Sequence, residues 1–169
     1  AAIFEAHESV VGLVNCSATW TGGRSVVDLT PRDFRESLEQ NFFVALHPIH
    51  AILAEWTSRG IARGTIVNVG ATASLRGGKN MAAFAIPKGA LRFLSQSLAR
   101  ELSPRGIHVA HLVVDGLIDN PLTRGLNPGV ADERFLNAES LADSILRVVE
   151  EPPSCWTFEW DLRPFNEPW

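Results

Sequence analysis

The stretch AAFAIPKGAL (82–91) places an amine, Lys88, four residues after an aromatic ring, Phe84, in a helix-like segment. On a helix that spacing puts ring and amine on one face. Beside a phenol, a lysine ammonium lowers the phenol's pKa and makes it a usable proton donor. Phe84 has no hydroxyl, so the pair keeps the cation and loses the acid. Other candidate groups are scattered. Thr72 and Ser74 follow Ala71 at the end of an apolar run, and their hydroxyls are expected to satisfy loop backbone groups. His47 and His50 flank Pro48 with no third ligand at useful spacing, so no metal is expected there. His108 and His111 share a strand-like run, and their separation puts them on opposite faces. Asp115, Asp119 and Glu133 read as loop and cap residues rather than an acid/base pair. Cys16 and Cys155 match no metal spacing. Cys16 falls in an apolar run, which predicts a buried free thiol in the cytoplasm or another reducing compartment.

Composition sets the frame for these groups. The 169 residues suit one domain (1–169), with 46% hydrophobic and 20% charged residues. A net charge of −4, without basic runs, argues against nucleic-acid or anionic-membrane partners. No apolar run approaches the ~20 residues that span a bilayer. The opening AAIFEAHESV has two glutamates and lacks the basic start and apolar core of a signal peptide.

Elements that would position the groups can be read in order. AAIFEAHE is helix-forming, and SVVGLVNCSA is a short apolar run suited to a strand buried on both faces. A helix is predicted over 30–59, opened by Thr30 and Pro31, with Phe34, Leu38, Phe42, Ala45, Ile49 and Leu53 at helical spacing. Pro48 is expected to bend it or to mark a join. GTIVNVGA reads as a second strand, 81–102 as a second long helix, and IHVAHLVVDG as a third strand. An irregular stretch, a helix over ESLADSILRVVEE and a strand in SCWTFEWDL complete the chain. Strands alternating with helices at this spacing imply an α/β fold, a parallel sheet with helices on both faces.

In this order the words resemble the short-chain dehydrogenase/reductase family. VNCSA (14–18) is similar to the family's Asn-Asn-Ala-Gly strand end, with Asn15 at its first asparagine. Asn41 falls where the family has a structural and catalytic asparagine. GTIVNVGATASLRGG (64–78) resembles the strand that ends in the catalytic serine, and FAIPK (84–88) the Tyr-x-x-x-Lys site. ARELSPRGIHVAHLVVDGLIDN (99–120) resembles the run into the Pro-Gly loop over the cofactor, with Asp115 in place of the proline. The tail WTFEWDLRPFNEPW is similar to the ending of a little-studied branch.

The resemblance implies a Rossmann-type doubly wound parallel sheet. It also implies which positions have changed. The family's serine stands thirteen residues before its tyrosine, which here is Ala71, and the tyrosine is Phe84. Asn41 and Lys88 are the retained catalytic positions, and Ala71 and Phe84 the degenerate ones. Asn15, Lys88, Gly116 and Ile118 are the implied cofactor contacts. Aligned to the family, the chain starts just before its fourth strand, so the N-terminal βαβαβ portion and its Gly-rich turn are not in this sequence. NAD or NADP would then be held only with a Gly-rich half supplied from outside the chain. The expected partners are a second copy, joined through the two long helices with Phe93, Leu94 and Ser97, or a chain covering an apolar sheet edge. Two functions are implied. One is an atypical NAD(P)-dependent oxidoreductase impaired in carbonyl/alcohol redox, and the other a non-catalytic assembly subunit on the same fold.

Overall fold

Four parallel strands form the sheet of this computed structural model, which describes residues 2–7 and 9–168. The strands are β1 (Gly12–Asn15), β2 (Gly64–Ala71), β3 (Ile107–Val114) and β6 (Glu159–Leu162), in the order β1-β2-β3-β6. A short helix α1 (Ala2–Ala6) precedes β1, and Ala1 and Glu8 of the predicted first helix lie outside the described residues. Helices α2 (Pro31–Leu38), α3 (Val44–Ser58) and α4 (Ala82–Leu102) lie on one side, and α6 (Ala138–Val149) on the other. This is the doubly wound arrangement expected.

Alternation along the strands explains both layers. Ile66, Ile107 and Val109 turn to α3 and α4, where Ile49, Ile52, Trp56 and Leu102 bury against them. Val67, Ala110 and Leu112 turn the other way, onto Val148 of α6. Each fully buried side chain of this size contributes roughly 1.5–3 kcal/mol, so the sheet is held from both faces.

Register adds a feature that periodicity alone does not announce. Asn15 stands opposite Asn68, Asn68 opposite His111, and His111 opposite Glu159, so one polar row crosses all four strands. Asn15 Nδ2 donates to Asn68 Oδ1 at 2.7 Å, and Asn68 Nδ2 donates to Ser95 Oγ of α4 at 2.9 Å. At the far edge Arg92 of α4 closes on Glu159, with Nη2 3.0 Å from Oε1.

Four expectations need correction. The break in the first long helix is not at Pro48, which sits inside α3, but at a π-helical turn, Glu39–Phe43. A proline ring crowds the carbonyl four residues back, here Val44, which is the first residue of α3 and directly follows the wide turn. Cys16 is exposed because it lies one residue past β1, where the chain leaves the sheet. Leu94 is partly buried against the α3–α4 core, leaving Phe93 and Ser97 as the exposed members of the expected helix contact. The stretch after Gly116 is more ordered than expected. It carries β4 (Leu117–Ile118), α5 (Pro121–Leu126) and β5 (Phe135–Leu136), with β4 and β5 paired in parallel.

Candidate active site

The C-terminal ends of β1, β2 and β3 and the first turns of α4 bring the candidate residues together. Pro87 in α4 has no N–H for the carbonyl of Ala83, four residues back. Ser37 of α2 fills that role, its hydroxyl donating to Ala83 O at 2.5 Å from a fully buried position. The start of α4 is therefore pinned to α2, and with it the Phe84–Lys88 pair.

Lys88 is 2% exposed, so it does not snorkel to solvent. Its Nζ donates to Val69 O at 3.3 Å and lies 5.8 Å from the centroid of the Phe84 ring. Burial holds the amine's pKa below the ordinary lysine value, partly opposed by nearby Cys16. Phe84 is itself buried and meets Trp20 with ring centroids 5.2 Å apart. Where a phenol would offer a proton, this site offers two tilted aromatic rings, Phe84 and Trp20.

Asn41 sits in the π-helical turn, fully buried. Its Oδ1 accepts from the backbone N–H of Thr19 at 2.9 Å, and its Nδ2 donates to Ser37 O at 3.2 Å. One side chain thus fixes the loop that presents Trp20 to Phe84. Asn15 is buried and committed through Nδ2 to the polar row.

Ala71 ends β2, and its N–H donates to Ser74 Oγ at 3.0 Å, so Ser74 serves the loop as expected. Thr72 does not. Its Oγ1 donates to the carboxylate Oδ1 of Asp115, which is buried at the end of β3. Arg163 stands on the other side of that carboxylate, Nη2 to Oδ2 3.0 Å. The sequence reading placed Asp115 among loop residues. Its position where the family carries proline was the signal that could have found it. Asp119 pairs with Arg124 of α5, and Glu133 is exposed.

Gly116 has φ +155, and a Cβ there would lie 2.7 Å from Pro164 Cδ. Backbone conformation and the close approach of Pro164 both demand glycine at this point. Ile118 packs partly buried against Val69, Val114 and Leu141. His111 is fully buried on the α4 side, close enough to β2 that a Cβ on Gly70 would lie 2.3 Å from its Nε2. Burial pushes its pKa down to about 4, against Glu159 and with Arg92 and Lys88. His108 points to the other layer, stacked on Trp156 with centroids 4.9 Å apart. Among the described residues no three His, Cys, Asp or Glu side chains form a metal-holding group.

The chemistry of this arrangement is asymmetric. A nicotinamide cofactor, when bound, would take or supply a hydride. Lys88 Nζ makes one long bond to Val69, so it is the residue whose remaining donors could meet the ribose end of such a group. Ala71 and Phe84 offer no side-chain hydrogen bond to a carbonyl oxygen.

The family model for short chain dehydrogenase matches residues 1–130. An uncharacterized oxidoreductase of Staphylococcus epidermidis is 24% identical over 158 residues, which are 94% of this chain and 66% of that protein. The crystal structure of a short-chain dehydrogenase from Rhodopseudomonas palustris is 30% identical, with 97% of this chain and 68% of that chain covered at a TM-score of 0.70. An alcohol dehydrogenase from Thermococcus sibiricus, complexed with 5-hydroxy-NADP, shares the fold at a TM-score of 0.80 and 20% identity, covering 99% of this chain and 68% of that one. The chain thus spans about two thirds of the length of the relatives it matches. It belongs to the short-chain dehydrogenase family.

Proposed function

We propose that the protein containing this chain is an NAD(P)-dependent oxidoreductase in which hydride chemistry runs without the family's serine and tyrosine hydroxyls. The observation that carries this reading is Lys88, a buried amine held at the head of α4 beside the ends of the strands, where packing alone gives no reason for a charge. Lys88, Asn15 and the backbone of 116–118 would hold the nicotinamide-ribose end. The Gly-rich turn for the pyrophosphate would come from outside these residues. The Thermococcus sibiricus relative, complexed with 5-hydroxy-NADP, supports a dinucleotide as the kind of cofactor this fold takes.

Removal of a general acid typically lowers rate on the order of 10²–10⁴-fold, and of an oxyanion donor about as much. The wild-type protein is therefore expected to reduce simple ketones and aldehydes poorly. A Phe84→Tyr, Ala71→Ser double variant is expected to raise carbonyl reduction by at least about 10²-fold. The first test is a titration of the intact natural protein with NAD and NADP, reporting through fluorescence of Trp20, which is exposed beside Phe84. Saturable quenching lost in Lys88→Met supports the reading, and no binding of either nucleotide overturns it. A second reading, a non-catalytic assembly subunit, draws on the exposed side chains Val44, Ile86 and Phe93 on α3 and α4. It predicts stable oligomers with no dinucleotide bound.

A further inference from the structure

A cavity of about 240 Å³ lies between the loop of residues 20–29 and α2, and none of the candidate catalytic residues lines it. Its volume is below the roughly 300–1,000 Å³ of sites for drug-sized molecules, so it suits a small ligand. The floor is already satisfied. Ser37 is fully buried there, with its hydroxyl spent on Ala83 O at 2.5 Å and on the Thr21 hydroxyl at 2.7 Å. One rim is satisfied too. Arg24 gives Nη1 to Asp33 Oδ1 at 2.6 Å and Nη2 to Asp28 O at 2.6 Å, and Asp33 Oδ2 takes the Thr30 N–H at 2.7 Å. Three lining groups are left over. Glu36 is exposed, its Oε1 tied at 2.6 Å to Arg32 on the same helix, and its Oε2 accepts no hydrogen bond among the described residues. The side-chain amide of Gln40 and the indole N–H of Trp20 likewise have no partner among the described residues.

Trp20 is the unusual member of the lining. It is 62% exposed, yet its ring is held in place. The ring meets Phe84 with centroids 5.2 Å apart, and a Cβ on Gly22 would lie 2.9 Å from its Cζ2 and 2.9 Å from Met81 Sδ. A larger residue at position 22 would therefore displace the ring or the thioether. A fixed indole face open to water attracts a cation through its quadrupole, most strongly where a carboxylate stands beside it. The charges agree. Arg24 cancels Asp33, which leaves Glu36 as the uncompensated charge of the lining. We propose that this cavity binds a small primary ammonium compound, its charge toward Glu36 and Gln40 and its apolar body on the Trp20 ring. The proposal does not depend on the dinucleotide reading. Ala83 and Trp20 join the cavity to Phe84, one as its neighbour in the chain and the other through ring contact, so a seated ligand borders that aromatic wall.

The test titrates the intact natural protein with benzylammonium at neutral pH and with benzyl alcohol, its uncharged counterpart. The readout is the indole N–H resonance of Trp20, assigned by its loss in Trp20→Phe. Benzylammonium is expected to move that resonance saturably and to bind more tightly than benzyl alcohol. Glu36→Gln, a change at an exposed side chain, is expected to weaken benzylammonium by about twofold to fivefold and to leave benzyl alcohol unchanged. Trp20→Leu, followed by calorimetry, is expected to weaken benzylammonium by a similar factor. No saturable binding of benzylammonium, or binding that leaves the Trp20 resonance unmoved, overturns the proposal. Equal affinity for the alcohol, or an unchanged affinity for benzylammonium in Glu36→Gln, overturns it as well. None of these outcomes bears on whether the protein takes NAD or NADP, which the titration with those nucleotides decides separately.

Discussion

At the scale of single residues, His111 shows how a chemical group can be stored in this fold without being used. It is fully buried with its ring against Gly70 of the neighbouring strand, and a neutral imidazole is favoured because burial pushes its pKa from 6.5 down to about 4. In the unfolded chain the same ring titrates near its ordinary value, so between those two pH values the unfolded state binds the extra proton. Its contribution is therefore complete above about pH 6.5, and it is lost progressively as the pH falls toward 4. Linkage sets the size at about 3 kcal/mol or less. Denaturant midpoints measured through this window should fall steeply in wild type and more gently in His111→Gln. Equal slopes would mean that the ring is already charged, or solvated, in the folded protein. The sequence showed that His108 and His111 lie on opposite faces, because strand periodicity suffices for that. It did not show that Gly70, two residues beyond the facing Asn68, makes room for the ring, since that depends on how two strands are paired.

At the scale of elements, the decisive device is the π-helical turn between α2 and α3. Helical spacing identified the helix and Asn41 within it. Spacing could not show a wider turn, whose extra residue leaves the apolar pattern on either side intact. That turn points Asn41 inward, where it bonds the Thr19 N–H at 2.9 Å and the Ser37 carbonyl at 3.2 Å. Ser37 in turn bonds the Ala83 carbonyl that Pro87 leaves unserved. Two helix irregularities are thus coupled, and the loop carrying Trp20 is tied to the helix carrying Phe84 and Lys88. Asn41→Ala would remove the acceptor of the Thr19 N–H, at a cost of about 0.5–1.5 kcal/mol. Amide exchange should accelerate over residues 17–22 much more than in β2 or β3. Uniform acceleration across the sheet would show that Asn41 supports the whole fold rather than this loop. The Thr72–Asp115 link illustrates the converse limit of reading a sequence. Forty-three positions separate its partners, and only strand register at the end of the sheet brings them together.

At the scale of the whole molecule, the two faces of the sheet are unequally covered. On the α4 side, β1 turns Leu13 into the core shared with α3. On the α6 side, Val14 stands in register with Val67, which is fully buried, yet Val14 itself is 39% exposed, and Val11 before it 53%. β1 also pairs only with β2, so among the described residues its outer backbone edge has no strand beside it. An apolar strand with one open edge and one bare face is a template for association. The two-thirds span relative to the matched relatives fits an edge that continues in a longer sheet or is met by another chain. Residues 1–169 produced alone are accordingly expected to self-associate, with apparent mass rising with concentration in light scattering behind a sizing column. Val14→Lys should reverse this, because a charge on the bare face beside the edge opposes a second strand or helix there. The exposed Phe93 on α4 offers a separate surface, and Phe93→Lys tests it independently. If Val14→Lys changes nothing while Phe93→Lys yields a monomer, association runs through the long helices and the open edge is inert. If the unmodified chain stays monomeric at every concentration, neither surface is sticky, and both routes to a partner are lost.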